Sequence, residues 1–428
     1  MNIFMNILTQ IFMFMNFVLP KAGTKIDNIP VYISVLLSIL VFIPFTFCLT
    51  VRHFRERDER SALVYYASFL LFFLLGLIIQ GHFAFTANVF YSYFPYFIAL
   101  SSVFLIFTAK YIEIKPSQIK FLILCSFYLL TIYGLIQKIF GDFNTLIPGI
   151  TYNYSDAIKL NPHAGLEVWG KSNYVIPLHY LKLSSTYQNG NLFGVNYIMI
   201  SWFAFYFLRS LRGLSGRLLY YSSILLYIVI CFLTASETVY MGLFASLILF
   251  FILTIIEIKN SETNKKGLKI AALAAAPVFL LLAAVLAFSD IKIFHAMIES
   301  KLIGRNLLAN ERIWFFMNYM QYIAGQNGLF HFLFGCFFTN PQNTGGYEIT
   351  VLYILANSGI IFTLIFVCFI FLFVKRLKFS IFNIGIFSYL AVSFIDGGFW
   401  LNPTAFSFFT LLGVSLYILQ KGEKSVPV

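Results

Sequence analysis

Arg305 and Arg312 stand seven residues apart, so on one continuous helix they project from nearly the same face, about two turns apart. Two guanidinium forks at that spacing can grip a diphosphate through parallel, charge-assisted hydrogen bonds. The same pair can equally hold phospholipid headgroups or the neighbouring Glu299 and Glu311. Glu348 follows Gly345-Gly346 at the start of an apolar run, where partial desolvation would make its carboxylate a stronger general base. An acid there also suits the helix dipole, so both readings stand. Glu237 lies in Thr234-Ala-Ser-Glu-Thr-Val-Tyr240, a turn between apolar runs too short to reach far into water. Acids at such edges are expensive to place and are functional candidates. Asp396, in Asp396-Gly-Gly-Phe-Trp400, is the matching case, with a hydrogen-bonded tight turn as its competing role.

Other chemistries lack their parts. There is no Gly-rich phosphate loop, no His-Glu-x-x-His pair and no serine nucleophile elbow. The adjacent acids Asp58-Glu59 sit among arginines, where a solvated charge cluster is the simpler reading than a metal site. No Asp-x-Asp motif occurs, and no metal or cofactor is expected. Of the cysteines, Cys48, Cys125, Cys231 and Cys368 fall in apolar runs as packing residues, and Cys336 has no loop partner, so no disulfide or zinc framework is expected.

The elements that must position these groups are membrane spans. With 60% apolar, 19% aromatic and only 11% charged residues, the chain lies outside the soluble globular range. A hydrocarbon core about 30 Å thick needs about 20 apolar helical residues. Runs of that order cover 3–20, 31–51, 62–80, 88–108, 119–137, 190–208, 217–234, 238–257, 268–288, 349–374, 379–395 and 402–420. They show no period-2 alternation, which excludes a barrel and predicts an all-α bundle of about twelve transmembrane helices over 1–428. Only three cations, Lys120, Arg217 and Lys269, fall inside these runs, each within the first two residues.

Two long loops, 138–189 and 289–348, then emerge on the same side. Nineteen of the 29 Lys and Arg residues fall in or at the edges of the opposite set of loops, and nearly all the others lie in the two long ones. The positive-inside rule puts both termini in the cytoplasm and the long loops outside. The net charge of +12 is therefore an anchor to membrane lipids and not a nucleic-acid footprint. The N-terminal run, with no preceding cation and no cleavage site after Pro20, reads as a retained helix.

The first long loop sets Tyr152, Tyr154 and Trp169 beside Asp156, His163 and Glu167, the mixture of ring faces and hydrogen-bonding groups that sugar-binding surfaces use. Solvated loops with interfacial aromatics have the same composition. In the second, residues 310–323 read as an amphipathic helix at the outer surface, carrying Arg312 and Trp314 and ended by Gly325, Asn327 and Gly328.

Four segments, in order, make the chain similar to the bacterial O-antigen polymerase (Wzy) and O-antigen ligase superfamily. They are Ser185-Thr-Tyr-Gln-Asn-Gly-Asn-Leu-Phe-Gly194, Leu233-Thr-Ala-Ser-Glu-Thr-Val-Tyr-Met-Gly242, Asn310-Glu-Arg-Ile-Trp314, and Leu333-Phe-Gly335 followed by Glu348-Ile-Thr-Val-Leu-Tyr-Ile-Leu-Ala-Asn-Ser-Gly359. Two departures stand out. Ser236-Glu237 replaces the family's Ser-Arg, and Tyr347-Glu348 replaces the His-Asn pair typical of ligases, so the polymerase branch matches better than the ligase.

The resemblance implies a GT-C-like membrane glycosyltransferase of the bacterial inner membrane with two large periplasmic loops. It would act without metal on oligosaccharide units carried by undecaprenyl diphosphate, with a chain-length regulator protein as a possible partner. Arg312 is then the position carried across, with Arg305 beside it on the diphosphate. Glu348 or Glu237 is the general base, and Tyr152, Tyr154, Trp169 and Trp314 are sugar-stacking candidates. A flippase or transporter is the rival from another class, disfavoured because its cations would line a cavity within the spans. A membrane O-acyltransferase would want a histidine within a span, whereas all six histidines fall in loops or at span edges.

Overall fold

The computed structural model describes residues 2–20, 22–26, 29–34, 36–37, 114–140, 183, 185–187, 190–211, 213–234, 236–260, 328–334, 373–393 and 402–425, with isolated positions between 317 and 371. Within them run α1 (Asn2–Val18), a hairpin of β1 (Gly23–Ile26) and β2 (Ile29–Tyr32), α2 (Pro116–Phe140), α3 (Gly190–Arg209), α4 (Gly213–Leu233) and α5 (Glu237–Asn260). Then follow α6 (Gly328–Phe334), a 3-10 turn (Ile381–Asn383), α7 (Ile384–Ser393) and α8 (Asn402–Ser425). Among the described residues, four helices are long and apolar enough to cross a membrane: Pro116–Ile139, Gly190–Arg209, Gly213–Leu233 and Thr238–Ile256. The chain is a helical, membrane-embedded protein.

The helix ends have local causes. Pro116 starts α2, needing no amide partner there, and the Lys115 N–H is satisfied by Gln118 Oε1 at 2.8 Å, the reciprocal half of a capping box. Pro403 occupies the second position of α8 in the same way. At the start of α5, Ser236 Oγ accepts from the Val239 N–H at 3.4 Å, and Glu237 stands at the positive end of the helix dipole. Gly213, at φ +89, takes the left-handed turn that lets α4 follow α3 after three residues.

These helices run beyond the apolar stretches read from sequence. Lys120 and Lys138 fall within α2, Arg209 closes α3 and Arg217 is the fifth residue of α4. Lys138 and Arg209 thus join Lys120 and Arg217 on these helices. All four sit near helix ends, where long side chains can carry their charge out of hydrocarbon. The hairpin, with Gly23 opposite Tyr32 and Ile26 opposite Ile29, takes the first two positions of the run expected to begin a span at residue 31.

α3 is the hub, packing against α2, α4, α5, α7 and α8. Of its most apolar stretch 89% is buried, against 33% for α4 and 28% for α5. A helix apolar all round belongs inside a bundle, and α3 takes that place. The flanking helices turn Leu214, Leu218 and Leu225 of α4 and Phe251, Ile252 and Ile255 of α5 outward, as lipid-facing helices do.

Hydroxyl pairs stitch the helices together. Thr131 meets Tyr197 at 2.6 Å, Tyr128 meets Ser223 at 2.8 Å and Tyr227 meets Ser246 at 2.9 Å. Small residues let backbones approach. A methyl on Gly385 would lie 2.8 Å from the Met199 carbonyl oxygen, and one on Gly242 would lie 2.7 Å from Ile198 Cδ1.

Candidate functional site

Long-range contacts sort the helix ends into two groups. At one end, Tyr417 of α8 donates to the Ile114 carbonyl just before α2, at 2.6 Å. Ser415 of α8 donates to Asn383 Oδ1 at 2.6 Å, and Phe382 packs on Phe203 and Tyr206 near the end of α3. The cations Lys115, Arg209, Arg217, Lys375, Arg376 and Lys378 are exposed on these segments.

At the other end gather the C-termini of α1, α2 and α4 and the N-termini of α3, α5 and α8. This end is held by Leu183, Ser185, Thr186 and Tyr187, all buried, on the chain that leads into α3. The Leu183 N–H donates to the Leu233 carbonyl at 3.1 Å, beside the last turn of α4. Ser185 takes φ +49, an uncommon conformation for a residue with a side chain, and is pinned from α2. Gln137 Nε2 donates to its carbonyl at 2.8 Å, and its own Oγ donates to the Leu130 carbonyl at 3.0 Å.

Thr186 and Tyr187 then cap α1. The last carbonyls of a helix have no partner within it. Here Thr186 Oγ1 donates to the Val18 carbonyl, and the Tyr187 hydroxyl donates to the Phe17 carbonyl at 2.7 Å. Ser407 of α8 donates to the Asn16 carbonyl at 3.2 Å. Asn196 Nδ2 of α3 in turn donates to the Tyr187 hydroxyl. Burial pushes the Tyr187 phenol well above its ordinary range, so it stays protonated and keeps donating. Asn16, Tyr187, Asn196 and Ser407 are each at most 1% exposed.

Two segments quoted from the sequence meet here. Ser185–Gly194 and Leu233–Gly242 lie against each other: a methyl on Gly194 would stand 2.8 Å from Val239 Cγ1 and nearer still to Cγ2. Of the predicted site residues, Glu237 opens α5 at this end. Arg305, Arg312, Trp314, Glu348, Tyr152, Tyr154 and Trp169 lie outside the described residues, as does Asp396. The helix expected at 310–323 is helical at Met317, Met320, Gln321 and Ile323, with its turn at Ala324 and Gly325. Leu333 and Phe334 of the fourth segment belong to α6.

Among the described residues no group of three His, Cys, Asp or Glu could hold a metal ion. The cluster around Tyr187 was missed in the sequence, although Asn16, set in the apolar stretch Ile11–Val18 of α1, is the kind of residue that signals it. No protein-family model, curated protein or solved structure matches the chain.

Proposed function

We propose that the protein is a surface-polysaccharide polymerase of the bacterial inner membrane, joining oligosaccharide units carried on undecaprenyl diphosphate. The observation that carries this reading is the packing of Ser185–Gly194 against Leu233–Gly242 at one end of the bundle. These are two of the segments on which the resemblance to the O-antigen polymerases rests, and they form one structural unit. The loop 138–189 runs into that unit. On this reading the end that holds it faces the periplasm, and the end bearing Lys115, Arg217, Lys375 and Arg376 faces the cytoplasm, as the positive-inside rule requires.

The reaction moves a growing glycan from its lipid diphosphate onto a hydroxyl at the non-reducing end of the next lipid-linked unit. The anomeric C–O bond to the diphosphate breaks, a new C–O bond forms, and the acceptor proton leaves to a base. Negative charge grows on the departing diphosphate, so fixed cations are the main catalytic requirement. Arg312 and Arg305 supply it without a metal. Glu348 or Glu237 takes the acceptor proton, and Tyr152, Tyr154, Trp169 and Trp314 offer ring faces to the sugars. A chain-length regulator protein would set how many units are joined.

Arg312→Ala should abolish long glycan ladders on a gel of surface polysaccharide, leave one capped repeat unit, and leave the amount of protein unchanged. Arg312→Lys, which keeps charge and loses the fork, should restore only short ladders. Ladders of unchanged length in Arg312→Ala remove Arg312 from the mechanism. Complete loss of surface glycan in a deletion strain points instead to a flippase.

A further inference from the structure

We infer that the turn 375–378 and the helix face leading into it form a docking site for an anionic phospholipid. The headgroup phosphate meets Lys375, Arg376 and Lys378, and an acyl chain lies along Leu364, Val367 and Phe371. The inference stands apart from the glycan reading and holds in either leaflet.

The turn is a fixed piece of structure. The apolar run 349–374 ends at Val374, and three cations then fall within four residues, all exposed. The Lys375 N–H donates to the Phe371 carbonyl at 2.9 Å, Arg376 to Phe373 at 3.1 Å and Leu377 to Val374 at 2.9 Å. The helix thus tightens into a turn without losing its backbone partners. Leu377, between the cations, is buried in the core. The Lys378 carbonyl accepts from Asn383 Nδ2 at 2.8 Å, and buried Asn383 accepts in turn from Ser415 of α8 at 2.6 Å. The cations ride on backbone anchored to the interior of the bundle.

The face leading into the turn is apolar and open. Leu364, Val367 and Phe371 are 57%, 41% and 63% exposed. Spaced three and four apart, they lie on one side of a helix, and Lys375, four residues after Phe371, continues that line. One stripe therefore runs out of hydrocarbon onto a cation. Neighbouring segments add charge of the same sign. Phe382 packs on Tyr206 at 4.9 Å, one turn before Arg209 closes α3, and Tyr417 ties Lys115 to the same end through the Ile114 carbonyl. The described residues 114–140, 190–211, 213–234 and 373–393 contain no Asp or Glu. The acids on described helices at this end are Glu257 and Glu423, near the last turns of α5 and α8.

These features select the ligand. Metal cations and basic peptides are repelled. A soluble phosphate satisfies the charges and leaves the stripe unused, and a zwitterionic headgroup brings its own ammonium to the cations. An anionic glycerophospholipid supplies both halves: phosphate oxygens for charge-assisted hydrogen bonds, and a chain for the stripe. Cations that only orient a chain during insertion need neither a fixed turn nor an apolar line leading to it.

The test follows thermal unfolding of the whole protein in a neutral detergent, with phosphatidylglycerol or phosphatidylcholine of the same chains added. Phosphatidylglycerol should raise the unfolding temperature; phosphatidylcholine and free glycerol 1-phosphate should not. Each Lys or Arg beside an anionic lipid surface strengthens binding about fivefold, so K375Q/R376Q/K378Q should need on the order of a hundredfold more phosphatidylglycerol for half the shift. The matched control K115Q/K120Q/R217Q removes as much charge from α2 and α4 and should stay close to wild type. An equal rise with phosphatidylcholine or glycerol 1-phosphate overturns the inference. So does an equal loss in the control, which means diffuse attraction to the whole end.

If the triple variant does not accumulate, the wild-type protein decides by itself. Phosphatidylglycerol with a photoreactive group in its acyl chain should cross-link to the peptide spanning 361–375, and unlabelled phosphatidylglycerol, but not phosphatidylcholine, should suppress the product. Labelling spread evenly over the outward faces of α4 and α5 overturns the inference.

Discussion

Gly194→Ala tests the joint between the two packed segments. The added methyl would stand 2.8 Å from Val239 Cγ1 and 3.1 Å from its Cβ, with Cγ2 closer still. Carbon atoms settle at about 3.5–4.0 Å, so α3 and α5 must part by about 1 Å or Val239 must rotate. Rotation is poorly available, because a β-branched side chain in a helix has one strongly favoured rotamer. Overpacking of this kind costs about 1–3 kcal/mol, roughly a 5- to 150-fold loss in the folded-to-unfolded ratio. Val239→Ala alone opens a small cavity and costs about 1–2.5 kcal/mol. In the double variant the new methyl fills the space that the valine methyls leave, and only the 3.1 Å approach to Cβ remains tight. The double variant should therefore be at least about 1 kcal/mol more stable than the two losses added. Thermal unfolding in detergent, followed by fluorescence-detected size exclusion, measures all four proteins. Wild-type stability of Gly194→Ala, or a double variant no better than the sum, would refute the close packing of the two segments.

Gly385→Ala should be more damaging and should resist repair. Its methyl meets the backbone of α3, 2.8 Å from the Met199 oxygen and 2.9 Å from its Cα, so no neighbouring side chain can be trimmed to make room. Loss of folded protein on size exclusion is expected, and it should persist when Met199 is changed to Ala. Tyr197→Phe is the mild counterpart. It removes one partner of the 2.6 Å pair with Thr131, whose Oγ1 still donates to the Phe127 carbonyl at 2.7 Å. A loss of about 0.5–1.5 kcal/mol is expected, and adding Thr131→Val should cost less than it does in the wild type.

The helix frame was legible because its signals are local. The run read as 190–208 is helix at Gly190–Arg209, and 238–257 is helix at Glu237–Asn260. Long apolar stretches bounded by glycine, proline or a cation leave little choice. The hairpin at Gly23–Tyr32 was not legible, since four-residue strands on either side of Asp27-Asn28 look like any short connection. The turn at Ser185 was hidden for another reason. Glycine is the usual sign of a left-handed residue, yet here Gln137 and Leu130 hold a serine in that conformation from 48 and 55 residues away. The α1 cap was equally hidden, because Tyr187 reaches Phe17 across 170 residues and no pattern in either segment names the other.

The jobs that the structure gives the two packed segments bear on how the proposed chemistry can be tested. Thr186 and Tyr187 end a helix, Ser236 starts one, and Gly194 and Gly242 let α3, α5 and α7 approach. Each of these roles is architectural and serves whatever reaction the bundle supports. Substituting these residues should lower glycan polymer and folded protein together, so loss of polymer there says nothing about catalysis. Arg312 differs in kind, since the proposal gives it a charge to neutralise and no helix to hold. Polymer lost at constant protein in Arg312→Ala, beside parallel loss of both in Gly194→Ala, would separate the reacting groups from the scaffold. Parallel loss in both variants would return Arg312 to the scaffold and leave the diphosphate without its proposed partner.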